Sequence, residues 1–311
     1  MTRIVIIGAG MAGLACARRL AAAGLHPIVV DKGRGVGGRM ATRRAGDLQF
    51  DHGAPYVTAK GQEFSSVLHG LTGAGHAADW DSGAGGGPCT TGTPGMSAIP
   101  KALAAGLSVR LGMQVTALRP TRQGWHIQFD GADDTATHVV ITVPAPQVAG
   151  ILGDTHPLVA QISEVEMSAG LTLMAAVAGD VPFVSHGTQD GSLAMILCDS
   201  HKPDRPETGA TAFVAHAGIA MCAAHLENSL VDIKAQMLPV LCEHLGVASS
   251  DVTHAAVQRW RYARTVKPLG KPFLRATDGT LYLGGDWCVG AQAEDAWTSG
   301  TAIAHDMLAR L

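Results

Sequence analysis

The sequence predicts an α/β plus α+β protein: a Rossmann-like nucleotide-binding domain with a second, mixed-sheet domain. Three observations carry this. A Val/Ile-rich run leads into a glycine turn at the start, a second Gly-Asp turn follows a strand near residue 285, and between them a stretch from about 155 to 277 has strand-like runs but no nucleotide signature. "RIVIIG" (Arg3 to Gly8) is the short β-branched run expected of a parallel strand buried on both faces. "MAGLACARRLAAAG" has helical composition and stops at Gly24, a residue suited to a helix C-terminus. "HPIVVDK" then reads as a strand ending at Asp31, which completes one βαβ unit.

Within that unit the fingerprint is Gly8, Ala9, Gly10, Met11, Ala12, Gly13. Gly8 permits the tight turn, Gly10 lets backbone N–H groups reach a pyrophosphate, and Gly13 lets helix and strand pack closely. Met11 and Ala12 supply the first helical backbone at the phosphate. Asp31, about 20 residues on, is placed for the adenosine ribose hydroxyls, with Lys32 beside it. The turn alone serves NAD and FAD equally. "GRGVGGRMATRR" (Gly33 to Arg44) separates them, because its Gly37-Gly38-Arg39 segment, followed by Met40, closely resembles the GG motif that flavoproteins of the glutathione-reductase and amine-oxidase type bring up to the FAD diphosphate. "FDHGAPY" then sets Asp51, Gly53 and Ala54 at another close approach, expected beside the isoalloxazine.

Periodicity weakens between 58 and 95, and "SGAGGGPCTTGTPG" is a loop by composition. "MSAIPKALAAG" reads as a short helix; "LSVRL", "QVTALRP", "GWHIQFD" and "THVVITVP" read as strands, the last apolar enough to rejoin the parallel sheet. Val115 falls where this fold puts backbone against the adenine end of FAD; a core valine is the other reading. "LTLMAAVAG", "SLAMILC", "TAFVAHA" and "THAAVQRWRYA" are further strands, with a helix from Asn228 to Leu245. Near the end, "GTLYLGGD" is a strand entering a turn and "AEDAWTSGTAIAHDMLARL" is a helix. Gly285 and Asp286 are expected at the ribityl or pyrophosphate portion. The first turn of the helix, Glu294 to Trp297 with Ala296, is expected at the flavin pyrimidine, where its positive end favours charge. The predicted FAD-binding domain is 1–57, 94–154 and 278–311; the predicted substrate domain is 58–93 and 155–277.

Composition limits the function class. Hydrophobic residues are 47% and charged residues 16%, against about 25% charged in an average domain. A net charge of -3 without a run of Lys or Arg gives no footprint for nucleic acid or an anionic membrane. Cys16, Cys89, Cys198, Cys222, Cys242 and Cys288 are scattered without metal-ligand or disulfide spacing. No metal, no membrane span and no signal peptide are expected, and a cytoplasmic setting is.

The chain resembles the bacterial renalase-like FAD oxidoreductases along nearly its whole length, through "GAGMAGL", "GVGGRMATRR", "FDHGAPY", "HKPDR", "AHLE", "RWRYA" and "GDWCVG…EDAWTSG". The first two motifs also occur in amine oxidases at large. The resemblance implies non-covalent FAD in a p-hydroxybenzoate-hydroxylase-like fold. It also implies oxidation of 2- or 6-dihydro isomers of NAD(P)H to NAD(P)+, with O2 taking the electrons to give H2O2. The sequence departs from the pattern at Pro55, Met195, Phe213 and Met221, where the family often has Gln or Trp, so substrate identity is less secure than the cofactor. An amine oxidase of the same fold and a non-catalytic flavin sensor are the alternatives.

For substrate contacts the expected residues are Tyr262 and Trp297 as ring neighbours, Arg261 with Lys202 or Arg205 at phosphates, and His52 near flavin N5. Each has an ordinary structural alternative: Trp297 as helix core, Arg261 as an exposed strand residue, "HKPDR" as a turn, His52 as a satisfied structural histidine. Trp287 and Cys288 are expected near the flavin, without a covalent link. No His-carboxylate pair or isolated buried Lys announces a base.

Overall fold

A computed structural model of the protein describes residues 2–81, 89–183, 186–187 and 191–311. The chain divides into two compact units. One comprises Met1–Gly38, Pro100–Met167 and Thr265–Leu311; the other comprises Arg39–Ile99 and Ser168–Arg264.

The first unit is organised by a six-stranded sheet in the order Leu274–Arg275, Leu281–Leu283, His138–Ile141, Ile4–Ile7, Ile28–Asp31, Ser108–Leu111. All neighbouring pairs are parallel except the first. "IVII" is buried at all four positions, because both faces of the sheet are covered. Ile4, Ile6, Val140 and Tyr282 pack against helix Met11–Ala22 and helix Ala293–Leu308 through Cys16, Ala17, Leu20, Ile303, Ala304 and Met307. Val5, Ile7, Val139 and Ile141 face the other way, onto Trp125, Ile127, Val148 and Ile151. Those residues come from an antiparallel sheet of Val115–Thr121, Gly124–Phe129 and Ala132–Ala136 and from helix Ala145–Leu152. The period-two alternation of the central strands therefore separates a helical layer from a small-sheet layer.

The second unit holds most of a five-stranded sheet in the order His186–Gly187, Leu193–Cys198, Ala210–Ala217, Glu166–Ala178, Val252–Lys267. Helix Leu230–Leu245 covers one face with Ile233, Met237 and Leu241 against Leu173, Ala175, Ile196, Phe213 and Ala215. Ser229 accepts from the Asp232 N–H at 3.1 Å to cap its start, and left-handed Gly246 ends it. Phe50 packs on the opposite face against Met174, Ala176, Ala212 and Val214.

The expected strands and the two long terminal elements occur where the sequence placed them, but two differences have physical causes. The region expected to be irregular contains helix Gln62–Gly73, which buries Phe64, Leu68 and Leu71 in spite of four glycine and serine positions, and strands Ala77–Trp80 and Cys89–Gly92. Of the loop expected there, 82–88 lie outside the described residues. The division between units also differs from the expected one. Residues 39–57 and 94–99 group with the second unit, where Phe50 joins its sheet; 155–167 and 265–277 group with the first, where Leu158, Ile162 and Leu274 enter the core. No helix among the described residues is long and apolar enough to cross a membrane.

Candidate functional site

In the first unit the glycine turn is built as its spacing requires. Gly8 has φ +111, and a Cβ there would stand 2.7 Å from Thr142 Oγ1. A Cβ on Gly13 would lie 1.9 Å from the Gly8 carbonyl oxygen, so helix Met11–Ala22 can start only where no side chain intervenes. Gly10 differs: no atom lies within 4 Å of its would-be Cβ, and Gly38, also at positive φ, has the Gly10 Cα as its near neighbour at 3.9 Å. The turn is thus closed by protein on one side and left open on the other, beside a helix start with no acidic residue in its first turn. Such a cradle fits a dinucleotide pyrophosphate.

Asp31 braces it. Its carboxylate accepts the Ala9 N–H at 2.7 Å and the Gly33 N–H at 2.6 Å. Gly37 N–H donates to the Ala9 carbonyl at 2.8 Å, which ties the GG segment to the fingerprint. Lys32 is exposed and donates to Gln147 at 3.3 Å.

The C-terminal turn lies in the same unit. A Cβ on Gly300 would sit 2.0 Å from the Ala12 carbonyl oxygen, so helix Ala293–Leu308 rests directly on the backbone of the fingerprint helix. Gly285, at φ +152, donates to Ser299 Oγ at 3.0 Å, and Asp286 is buried with Thr265 donating to its carboxylate at 3.1 Å. The Gln292 N–H donates to Asp295 at 2.8 Å at the helix start, next to Glu294. Ala296 and Trp297 are buried. Trp287 donates to the Val143 carbonyl at 3.0 Å, and burial pushes the Cys288 thiol up to about 12. Val115 packs in the apolar core beside Phe129.

In the second unit the structure reassigns several expected contacts. Asp51, expected at the isoalloxazine, is wholly buried and committed to protein partners. Lys202 donates to it at 2.8 Å, Thr42 at 2.6 Å and the Met96 N–H at 2.9 Å, and Arg205 pairs with it as well. Lys202 also meets Asp199 at 2.6 Å, and the Asp51 N–H donates to Asp199 at 2.6 Å. Burial alone would raise the Asp51 carboxyl, but Lys202, Arg205 and the bonds from Lys202 and Thr42 hold it below its ordinary range. Two acids and two bases therefore neutralise one another in the interior. Lys202 and Arg205, expected at substrate phosphates, are 3% or less exposed at their side chains and belong to this cluster. Nothing in "HKPDR" itself names Asp51 as the partner, since the two lie 151 residues apart.

Gly53 and Ala54 serve close packing: a Cβ on Gly53 would be 1.9 Å from the Arg39 carbonyl oxygen, which accepts the Ala54 N–H at 2.7 Å. Arg39 donates to the Ala263 carbonyl at 3.1 Å, and Met40 is buried. His52 stacks on Trp260 with ring centroids 5.2 Å apart and 15° between planes, and Trp260 donates to the His52 carbonyl at 2.9 Å. Burial, then the Arg43 charge, lowers the His52 pKa to about 4 against a partial opposing effect of Asp51. Its Nδ1 is buried with no partner among the described residues. Tyr262 is half-buried on the Val252–Lys267 strand, and Arg261 is exposed and paired with Glu227 at 2.7 Å.

The comparisons with known proteins agree with this construction. Residues 6–71 match the NAD(P)-binding Rossmann-like domain, and residues 63–308 match the flavin containing amine oxidoreductases. A protein assigned as a protoporphyrinogen oxidase, from Exiguobacterium sp. 255-15, superposes with a TM-score of 0.80 at 13% identity, over 99% of each chain. A triple mutant of putrescine oxidase, made by redesign of its cofactor binding, superposes with a TM-score of 0.77 at 14% identity, over 100% of this chain and 99% of the other. At such identities the likeness is one of fold. A flavin held by a dinucleotide cradle is FAD. The chain belongs to the flavin-containing amine oxidoreductase family, as an FAD-dependent oxidoreductase.

Proposed function

We propose that the protein is a renalase-like oxidase that takes hydride from 2- or 6-dihydro isomers of NAD(P)H, giving NAD(P)+ and, from O2, H2O2. One observation carries the reading: the basic groups of the second unit's polar cluster are unfit to remove a proton. Lys202 is clamped between Asp51 and Asp199, and the His52 pKa of about 4 makes it a feeble base. A dihydropyridine becomes an aromatic pyridinium as its hydride leaves, so no proton has to be taken from it. An amine arrives as a cation and must first be deprotonated.

When bound, FAD supplies the two-electron acceptor and passes the electrons on to O2. The chain's part is to bind and orient. In this reading Gly8, Gly10, Met11, Ala12, Gly13 and Gly38 hold the pyrophosphate, Asp31 the ribose side, and Gly285 and Asp286 the ribityl portion. The helix start at Glu294 to Trp297 faces the pyrimidine, and the cofactor is held without a covalent bond. Tyr262 contacts the substrate ring, and Arg261 exchanges Glu227 for a substrate phosphate.

Amine oxidation is the second reading, favoured by the family match itself. Anaerobic mixing of the yellow holoprotein with borohydride-generated NADH isomers, with purified 4-dihydro-NADH and with putrescine separates the two. The expected result is rapid bleaching by the isomers and near silence with the other two. Equal rates with both forms of NADH, or bleaching by the amine alone, would overturn the proposal.

A further inference from the structure

The face of the five-stranded sheet turned away from helix Leu230–Leu245 is apolar at one end and polar at the other. On strand Ala210–Ala217, Ala212 and Val214 lie under Phe50, and the next residue on that face is His216. His216 stands directly opposite Thr172 in the sheet register, and Thr172 Oγ1 lies 3.3 Å from its Nδ1. Its other ring nitrogen, Nε2, is buried and has no partner among the described residues. His52, two residues beyond Phe50, presents another such atom, Nδ1. Lys202 and, after it, His52 lie close enough for their charges to bear on His216. Burial first, then Lys202 and His52, lowers His216 to about 4, so both rings are neutral at physiological pH.

Two buried, neutral ring nitrogens without partners are an unfinished hydrogen-bonding site. A cationic amine offers only donors, and a carboxylate only acceptors. A primary carboxamide offers both, on a planar group that suits the flat His52–Trp260 stack. Thr172 engages Nδ1 of His216 and so orients the ring, which leaves Nε2 for a ligand.

We propose that His216, oriented by Thr172 and joined by His52, is the subsite for the carboxamide of a nicotinamide ring. This rests on the dihydropyridine reading above and names the part of the substrate that the second unit recognises.

The test uses the FAD-loaded protein and follows ligand binding by perturbation of the flavin absorbance. NAD+ and an analogue whose pyridine ring lacks the carboxamide are titrated into wild type, His216→Leu, His216→Asn and Thr172→Val. Wild type is expected to bind NAD+ about tenfold more tightly than the analogue, the scale of one good neutral hydrogen bond. His216→Leu should bind the two equally, with the analogue's affinity unchanged; His216→Asn should recover part of the preference, and Thr172→Val should lose part of it. His216→Asn and Thr172→Val also keep the test open if His216→Leu does not fold. A wild-type preference that persists in His216→Leu would overturn the subsite while leaving the proposed function standing. Failure of wild type to bind NAD+ would overturn both.

Discussion

The phosphate turn of the first unit is built by leaving side chains out, whereas the polar cluster of the second is built by placing charged ones in. At Gly8, Gly13 and Gly300 a single added carbon would strike backbone or a hydroxyl within 3 Å, so these positions fix how closely strand and helices approach. Gly10 alone among the fingerprint glycines opens onto empty space. The cluster of Asp51, Asp199, Lys202 and Arg205 reverses this logic, with four charges buried together and each acid meeting both bases. A steric site tolerates no addition. An electrostatic site tolerates no subtraction.

The comparison is broken most severely at Lys202. Lys202→Met leaves two buried carboxylates facing one remaining cation, and should cost about 3 to 5 kcal/mol of unfolding free energy in urea titration. A loss below about 1 kcal/mol would mean the cluster is not a closed interior pair system.

Next in size is the response to acid. His52 and His216 titrate at about 4 in the folded chain, below the ordinary 6.5, so between these values the unfolded chain binds protons that the folded one refuses. Stability should be at its plateau above about pH 6.5 and fall as pH drops towards 4. The slope is about 1.4 kcal/mol per pH unit for each histidine. Asp51, held below the usual carboxylate range, contributes its loss only at lower pH. Urea midpoints measured from pH 7 to 4 check this, and His216→Asn should reduce the slope.

A finer distinction separates two neighbouring glycines. Gly13→Ala should lower both thermal stability and flavin content, because its Cβ meets the Gly8 carbonyl oxygen at 1.9 Å. Gly10→Ala should leave the melting temperature of the flavin-free protein unchanged while weakening FAD binding, as read by flavin retained on gel filtration. Smallest of all is Arg261→Ala, exposed and paired with Glu227, which should not move the melting temperature and should raise KM with little change in kcat.

The same contrast explains which features could be read in the sequence. Glycine requirements are local: Gly8, Gly13, Gly38, Gly285 and the strands before them carried the first unit's architecture in their spacing. The buried cluster is assembled from residues far apart in the chain, so Asp51 resembled a ligand contact and Lys202 a phosphate contact until the fold brought them together. Helix Gln62–Gly73 did have Phe64, Leu68 and Leu71 at helical spacing, but Gly70, Gly73 and two serines diluted the signal. His216 had a readable sign as well, a polar residue in line with Ala212 and Val214 on an otherwise apolar strand face.

The central claim is that substrate oxidation here proceeds without a protein base. Its most direct test is the pH dependence of anaerobic flavin reduction by the 6-dihydro isomer of NADH. The rate should be flat from about pH 5.5 to about 9, since the buried histidines are already neutral throughout that range. A rate that rises through a pKa between about 6 and 8 would reveal a base that must lose its proton first, and would contradict the account.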